Sequence, residues 1–287
     1  MWPRAVTLIH GPAELPTMHV GVVAKRGNDR AVRLAARLDG VLDASVAFDT
    51  ETAAALGRDG VDPTEMGEFD LVVSIGGDGT FLFTARTTDP APLLGVNLGE
   101  VGFLNAVAPE DAPEVVADTA ARIRGGEATY RELTRVQAAG DGVDLPPALN
   151  EVSVLGGQRG HGNGLDVEVR LDGETYSETH ADGLIVATPT GSTAYNLSEG
   201  GPVVHPRADG LIVTEMVVDS GMPSLVVDPD DELSVRVSNA ETAYVVADGR
   251  SRATLTPPVE LTVRRAATPT VTVGPKLDFF TAVEKLE

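Results

Sequence analysis

The chain has 287 residues, 42% hydrophobic and 23% charged, and no cysteine, which suits a globular protein and excludes disulfides, thiolate metal sites and cysteine nucleophiles. No apolar stretch reaches the roughly 18–20 residues of a membrane span, and no basic leader precedes an apolar core, so a soluble, cytoplasmic protein is expected. A net charge of −21, with only three lysines among 22 basic residues, argues against nucleic acid and anionic membranes as partners and suits a cytosol of molar salt, where repulsion is screened within about 3 Å.

Residues 1–17 show no clear period: either Met18 is the natural start, or the first segment is a frayed extension. From there a strand is predicted from Met18 to Ala24. A helix follows over 29–40, with Ala31, Leu34, Ala35 and Leu38 on one face. A strand over 44–48, a short helix over 51–57 and a strand over 69–75 come next. After a glycine loop come a helix over about 80–87, a strand over 92–96 and a helix over 110–124. Strands that are apolar throughout and separated by helical patterns imply a parallel sheet covered on both faces, with ligands at the carboxyl ends of its strands.

The glycine loop, Gly76-Gly77-Asp78-Gly79-Thr80, sits at such an end. Glycines let backbone N–H groups approach an anion, and a helix starting at Gly79 or Thr80 would add its unpaired donors. A lone carboxylate there suggests that Asp78 takes a proton or holds a metal. An ordinary tight turn capped by Asp reads equally well from these five residues. No lysine stands in or beside the loop, since the three are Lys25, Lys276 and Lys285.

Beyond Gly125-Gly126 short runs of Val, Leu, Ile and Thr, punctuated by turns such as Asp172-Gly173, predict a mostly antiparallel β region. The expected class is α/β plus β. It comprises an α/β domain over 18–125, a β-rich domain over 126–275, and a tail over 276–287 folding back with Phe279, Phe280, Val283 and Leu286 at helical spacing. The five histidines are scattered, which disfavours a zinc site.

Residues 182–202, DGLIVATPTGSTAYNLSEGGP, concentrate Thr, Ser, Gly and Pro after a strand, with one Tyr in their midst. Pro189 ends the strand, Ser192 can cap a helix, and Tyr195 with Thr193 or Ser198 offers a purine a stacking plane and polar contacts. A capped helix with Tyr195 buried is the alternative. Asn150-Glu151 begins a strand and reads as solvent-facing, while Asp182-Gly183 and Asp248-Gly249 read as turns.

GGDGT at 76–80, GVNLGEVGFL at 95–104, NEVSV at 150–154, the 182–202 run and Asp248-Gly249 occur in the order and spacing of NAD kinases, which the chain resembles from Met18 to Phe280. Lipid kinases of the diacylglycerol type share the first motif; the long 182–202 run does not occur in them. The acidic, lysine-poor composition adds a halophilic archaeon as the expected source.

The resemblance implies transfer of a phosphoryl group from ATP or polyphosphate to the 2′-hydroxyl of the adenosine ribose of NAD. A divalent metal, Mg²⁺ by expectation, would assist, in a homodimer or homotetramer. It places Asp78 near that hydroxyl and Gly76, Gly77, Gly79 and Thr80 around phosphate. Asn150, Thr193, Ala194, Tyr195, Asn196, Leu197 and Ser198 would hold the NAD, chiefly its adenine end, and Glu151 and Asp182 would face ribose and nicotinamide. His161 and His180 fall near further contact positions, Asp248 would reach in from a neighbouring subunit, and the metal ligands are left unassigned. Glu100-Val101 and Arg250 depart from the usual pattern. A lipid kinase lacks support, with no apolar or basic docking surface at this charge; a dinucleotide-binding regulator without transfer is disfavoured by the retained Asp78.

Overall fold

The computed structural model describes residues 17–99, 102–157, 163–218 and 221–286; the extension before Thr17, His161 and Glu100-Val101 lie outside them. The first unit runs β1 (His19–Ala24), α1 (Asp29–Asp39), β2 (Ser45–Phe48), α2 (Thr50–Leu56), a 3₁₀ turn (Pro63–Glu68), β3 (Leu71–Gly76), α3 (Asp78–Thr87), β4 (Leu93–Asn97), α4 (Ala112–Arg124) and β5 (Tyr130–Leu133). The predicted apolar stripe of α1 is buried, and its start is fixed by the Asn28 side chain accepting from the Ala31 N–H at 3.0 Å. Every residue of β3 is buried, as befits a central parallel strand.

The strands of the second unit are β6 (Val136–Ala139), β7 (Glu151–Gly156), β8 (Leu165–Leu171), β9 (Glu174–Ala181), β10 (Gly183–Ala187), β11 (Leu211–Met216), β12 (Leu225–Val227), β13 (Leu233–Ser238), β14 (Ala243–Ala247), β15 (Ser251–Leu255) and β16 (Val259–Arg265). They form two antiparallel sheets, ordered β12-β11-β10-β7-β14-β15 and β6-β16-β13-β8-β9. Alternate residues such as Leu165, Val167 and Val169 of β8 and Leu184 and Val186 of β10 meet in one aliphatic core. The chain ends in β17 (Thr270–Val273) and α5, a short helix over Phe279–Glu284.

The first sheet is ordered β2-β1-β3-β4-β17-β5, with parallel pairing from β2 through β17 and an antiparallel edge at β5. Thus 130–133 and 270–273, which sequence grouped with the β-rich stretch 126–275, pair with the first sheet. Alternating Val and Thr mark a strand without naming its partner, and the open edge of β4 supplies one. Helix α3 also begins two residues earlier than expected. The carbonyl of Gly77 accepts from the N–H groups of Thr80 and Phe81 at 2.9 and 3.2 Å, so Asp78 lies inside the first turn.

Candidate active site between the two units

Asp78 is held by the loop that follows β4. Its Oδ2 accepts from the Phe103 N–H at 2.8 Å, and its Oδ1 from the Leu104 N–H and the Asn105 amide, both at 3.1 Å. A carboxylate has about four acceptor positions, which leaves one on Oδ2 for a further donor. The helix dipole of α3 favours negative charge at this spot. Sequence reasoning gave Phe103, Leu104 and Asn105 no role; the glycines of 95–104, which let the loop close on Asp78, were the available signal. A side chain at Gly102 would stand 3.1 Å from Asp78 Oδ1.

Among the described residues Gly77 and Gly79 have no neighbour within 4 Å where a Cβ would point, and neither has a positive φ. No contact with a described residue demands glycine there, and the bare backbone stands at a helix start. Gly76 differs, for a Cβ on it would overlap the Thr80 side chain.

The 182–202 run packs onto the start of β7. The Thr188 hydroxyl donates to the Leu149 carbonyl at 2.6 Å and its N–H to the Asn150 carbonyl at 2.8 Å. Gly191 lies against the Asn150 backbone so closely that any side chain would collide with it. Ser192 is not the helix cap that sequence suggests. Its hydroxyl bonds the Pro189 and Val204 carbonyls, a 3₁₀ turn spans Thr190–Thr193, and a single α-turn spans Tyr195–Ser198. Asn196 is fully buried, donating to the Ser192 and Pro202 carbonyls and accepting from the Thr214 hydroxyl. Its side chain is spent on the fold. Thr193, Ala194, Tyr195 and Leu197 are half-buried and Ser198 exposed, and Tyr195 packs against Ile185, Ala187, Ile212 and Met216.

A cavity of about 890 Å³ lies between the loop after β4 and the 182–202 run, with Phe103 and Leu104 on one wall, Thr190 and Thr193 on another, and His205 and Phe279 beside them. Phe279 touches Phe103 of the first unit and His205 of the second edge-on, with ring centroids 6.2 and 5.0 Å apart.

Asn150, Glu151 and Asp248 form a second cluster. Asn150 and Glu151 are buried, contrary to the solvent-facing expectation, because β7 is flanked by β10 and β14 in the middle of its sheet. Asp248, at the hairpin between β14 and β15, accepts from the N–H groups of Leu149, Asn150 and Glu151 at 2.9, 2.7 and 3.4 Å. Its carboxylate bonds its own chain, and the left-handed backbone at Asp248 and Gly249 turns it inward. Burial, and secondarily the charge of Asp248, push the Glu151 carboxyl up to about 7. Burial also raises Asp248, against the pull of its three N–H donors. Glu151 Oε2 is buried without a hydrogen-bond partner among the described residues.

Asp182 is not in a tight turn; it lies where the chain leaves β9 in one sheet for β10 in the other, its N–H donating to the Met216 carbonyl at 3.0 Å. His180 is held on β9 by Asp166 Oδ1 at 2.7 Å and the Asn163 carbonyl at 2.9 Å. His161 lies outside the described residues. Among the described residues no three His, Asp or Glu groups converge as a metal site. A Mg²⁺ ion that arrives already bound to phosphates needs only one or two protein carboxylates, and that requirement the site can meet.

Phosphoryl transfer asks for positioning, for donors around the moving phosphate and for an acceptor of the hydroxyl proton, and little covalent chemistry besides. The fixed carboxylate of Asp78 and the helix start beside it suit that chemistry, and the class they define is a phosphotransferase. Residues 20–122 match the ATP-NAD kinase N-terminal domain and residues 149–274 the ATP-NAD kinase C-terminal domain. The NAD kinase of Natronomonas pharaonis is 55% identical over 270 residues, covering 94% of this chain and 100% of that protein. The NAD kinase of Halobacterium salinarum is 53% identical over 282 residues, with the same coverage. The crystal structure of an Archaeoglobus fulgidus NAD kinase in complex with ATP superimposes with a TM-score of 0.77 at 27% identity, covering 94% of this chain and all of that one. The chain belongs to the NAD kinase family.

Proposed function

We propose that the chain transfers the terminal phosphoryl group of ATP or polyphosphate to the 2′-hydroxyl of the adenosine ribose of NAD, with Asp78 as the proton acceptor. The observation that carries this reading is the Asp78 carboxylate, fixed by three donors with one acceptor position left on Oδ2 beside the open backbone of Gly77 and Gly79. The ribose oxygen attacks phosphorus while its proton passes to Asp78, the new O–P bond forms, and the bond to the leaving phosphate breaks. Gly76 through Thr80 cradle the phosphates through backbone N–H groups. Phosphate charge would be neutralised by Mg²⁺ brought in with the donor, with Asp78 the nearest carboxylate to hold it.

Thr193, Ala194, Tyr195 and Ser198 hold the adenosine end, and Asn150, Glu151 and Asp182 the rest of the NAD. Asn196 and Asp248 act indirectly, by fixing the 190–198 turn and the start of β7. The protein works in the cytoplasm; no helix among the described residues is long and apolar enough to cross a membrane. It works as a homodimer or homotetramer, a reading supported by exposed Val217, Met222 and Val226 at the β12 edge. The test is NADP formation from NAD in molar KCl with Mg²⁺, offering ATP and polyphosphate separately, with light scattering for the assembly. Product with either donor supports the reading and names the phosphoryl source. A folded, NAD-binding sample that makes none with either overturns it in favour of a binding regulator.

A further inference from the structure

Two buried polar atoms behind Asp78 have no hydrogen-bond partner among the described residues: the hydroxyl of Ser74 on β3 and Oδ1 of Asn105. They stand over neighbouring strands. Ser74 pairs in register with Gly95 of β4, and both lie two residues on from Val72 and Leu93, which pack with Phe81 and Ala85 of α3. Residues two apart share a face of a sheet, so Ser74 belongs to the face that α3 covers. Asn105 fills that face at Gly95. A Cβ on Gly95 would stand 2.4 Å from Asn105 Oδ1, so the absent side chain makes the space that the amide takes. One strand spacing, about 4.8 Å, separates the two positions.

The other end of the Asn105 amide holds Asp78, its NH₂ donating to Oδ1 of the carboxylate at 3.1 Å. The two ends of an amide are alike in shape and opposite in character. Turned over, the Asn105 oxygen would face the carboxylate and repel it. A donor on Asn105 Oδ1 fixes the amide the right way round, and the Ser74 hydroxyl has a proton to give. The two oxygens are not bonded to each other. At 0% and 3% exposure of their residues, leaving both unsatisfied carries a desolvation cost for each. One water between them satisfies both, accepting from Ser74 and donating to Asn105.

We infer that Ser74 and Asn105 hold a buried water between them, and that Ser74 is a positioning residue, which orients the Asp78 carboxylate through that water and the Asn105 amide. The inference rests on the reading of Asp78 as proton acceptor and extends its support into the strand before the glycine loop. Ser74 touches no substrate. Its part is to keep the remaining acceptor position of Asp78 aimed at the hydroxyl, so loosening it slows the chemistry and spares NAD binding.

The test is a double-mutant cycle on the full chain in molar KCl, with kcat, KM for NAD and denaturation midpoints read for Ser74→Ala, Asn105→Ala and the pair. An idle buried hydroxyl is better replaced by a methyl group, which would raise the midpoint and leave turnover alone. The expected result is the opposite for Ser74→Ala. Its midpoint falls, kcat drops about tenfold, as for one hydrogen bond lost, and KM stays within twofold. In the Asn105→Ala background the same substitution lowers neither midpoint nor kcat further. A raised midpoint, an unchanged kcat, a KM that rises as much as kcat falls, or additive effects of the two substitutions would each overturn the inference. Should Asn105→Ala not fold, Asn105→Leu, close to it in volume, takes its place in the cycle. A crystal structure of the parent should show an ordered water about 2.5–3.0 Å from both oxygens, and none between them overturns the water site. Midpoints and the water are read without turnover, so a parent that makes no NADP would count against the kinase reading itself.

Discussion

Asp78→Asn is the most informative single substitution, because the structure assigns it two separable costs. Both carboxylate oxygens already accept from N–H donors, one from Phe103 and two from Leu104 and Asn105. Whichever way the amide is turned, its NH₂ faces a donor and at least one bond is lost. Placing the oxygen toward Leu104 and Asn105 keeps two bonds and sets the NH₂ against the Phe103 N–H. The loss of one charge-assisted bond in this half-buried site costs about 1–3 kcal/mol. The chemical loss is larger, for an amide cannot take the hydroxyl proton, and general-base catalysis contributes typically 10²–10⁴-fold. The expected outcome is thus a modest fall in unfolding free energy, NAD binding within a few-fold, and turnover down by two to four orders of magnitude. Denaturant titration, NAD titration and NADP formation in molar KCl read the three quantities. Turnover within tenfold of the parent in a folded variant would refute the assigned role, and an unaltered stability would refute the hydrogen-bond geometry.

Glu151 gives the pH dependence. Its folded pKa, near 7, lies above the ordinary carboxylate value of 4.5, so the native state holds a proton that the unfolded chain releases. Its contribution to stability is full below about pH 4.5 and lost as pH rises to about 7, with a slope of at most about 1.4 kcal/mol per pH unit. Glu151→Gln should flatten denaturation midpoints across that window; an undiminished slope would exclude Glu151 as the source. Asn196→Ala strands the Ser192 and Pro202 carbonyls, while the Thr214 hydroxyl keeps its bond to Ser224, and should lower stability by about 2–3 kcal/mol, read by denaturant titration. Phe279→Ala removes the ring that meets both Phe103 and His205, and should cost about 1–3 kcal/mol in stability and raise KM for NAD several-fold. An unchanged KM would show that the tail does not couple the two walls of the cleft.

The local pattern of the sequence determined most of the elements. The buried stripe of α1 and the unbroken apolar run of β3 announce their periods and burial directly, and the glycine loop announces its place at a strand end. The long 182–202 motif and its companions were legible as a resemblance, and so was the role expected of Asp78. The partners of those residues were not legible. That Phe103, Leu104 and Asn105 bind Asp78 depends on a contact across 25 to 27 residues, and that Asp248 fixes the start of β7 on one across nearly 100. The burial of Asn150 and Glu151 follows from a central place in a sheet, which a strand's own residues do not state. The same holds for β17, whose Val and Thr alternate as in its neighbours in sequence but which completes the first sheet between β4 and β5. Propensity and periodicity are properties of a segment and can be read from it. Pairing, desolvation and the walls of a cavity are relations between distant segments, and only packing them together decides them.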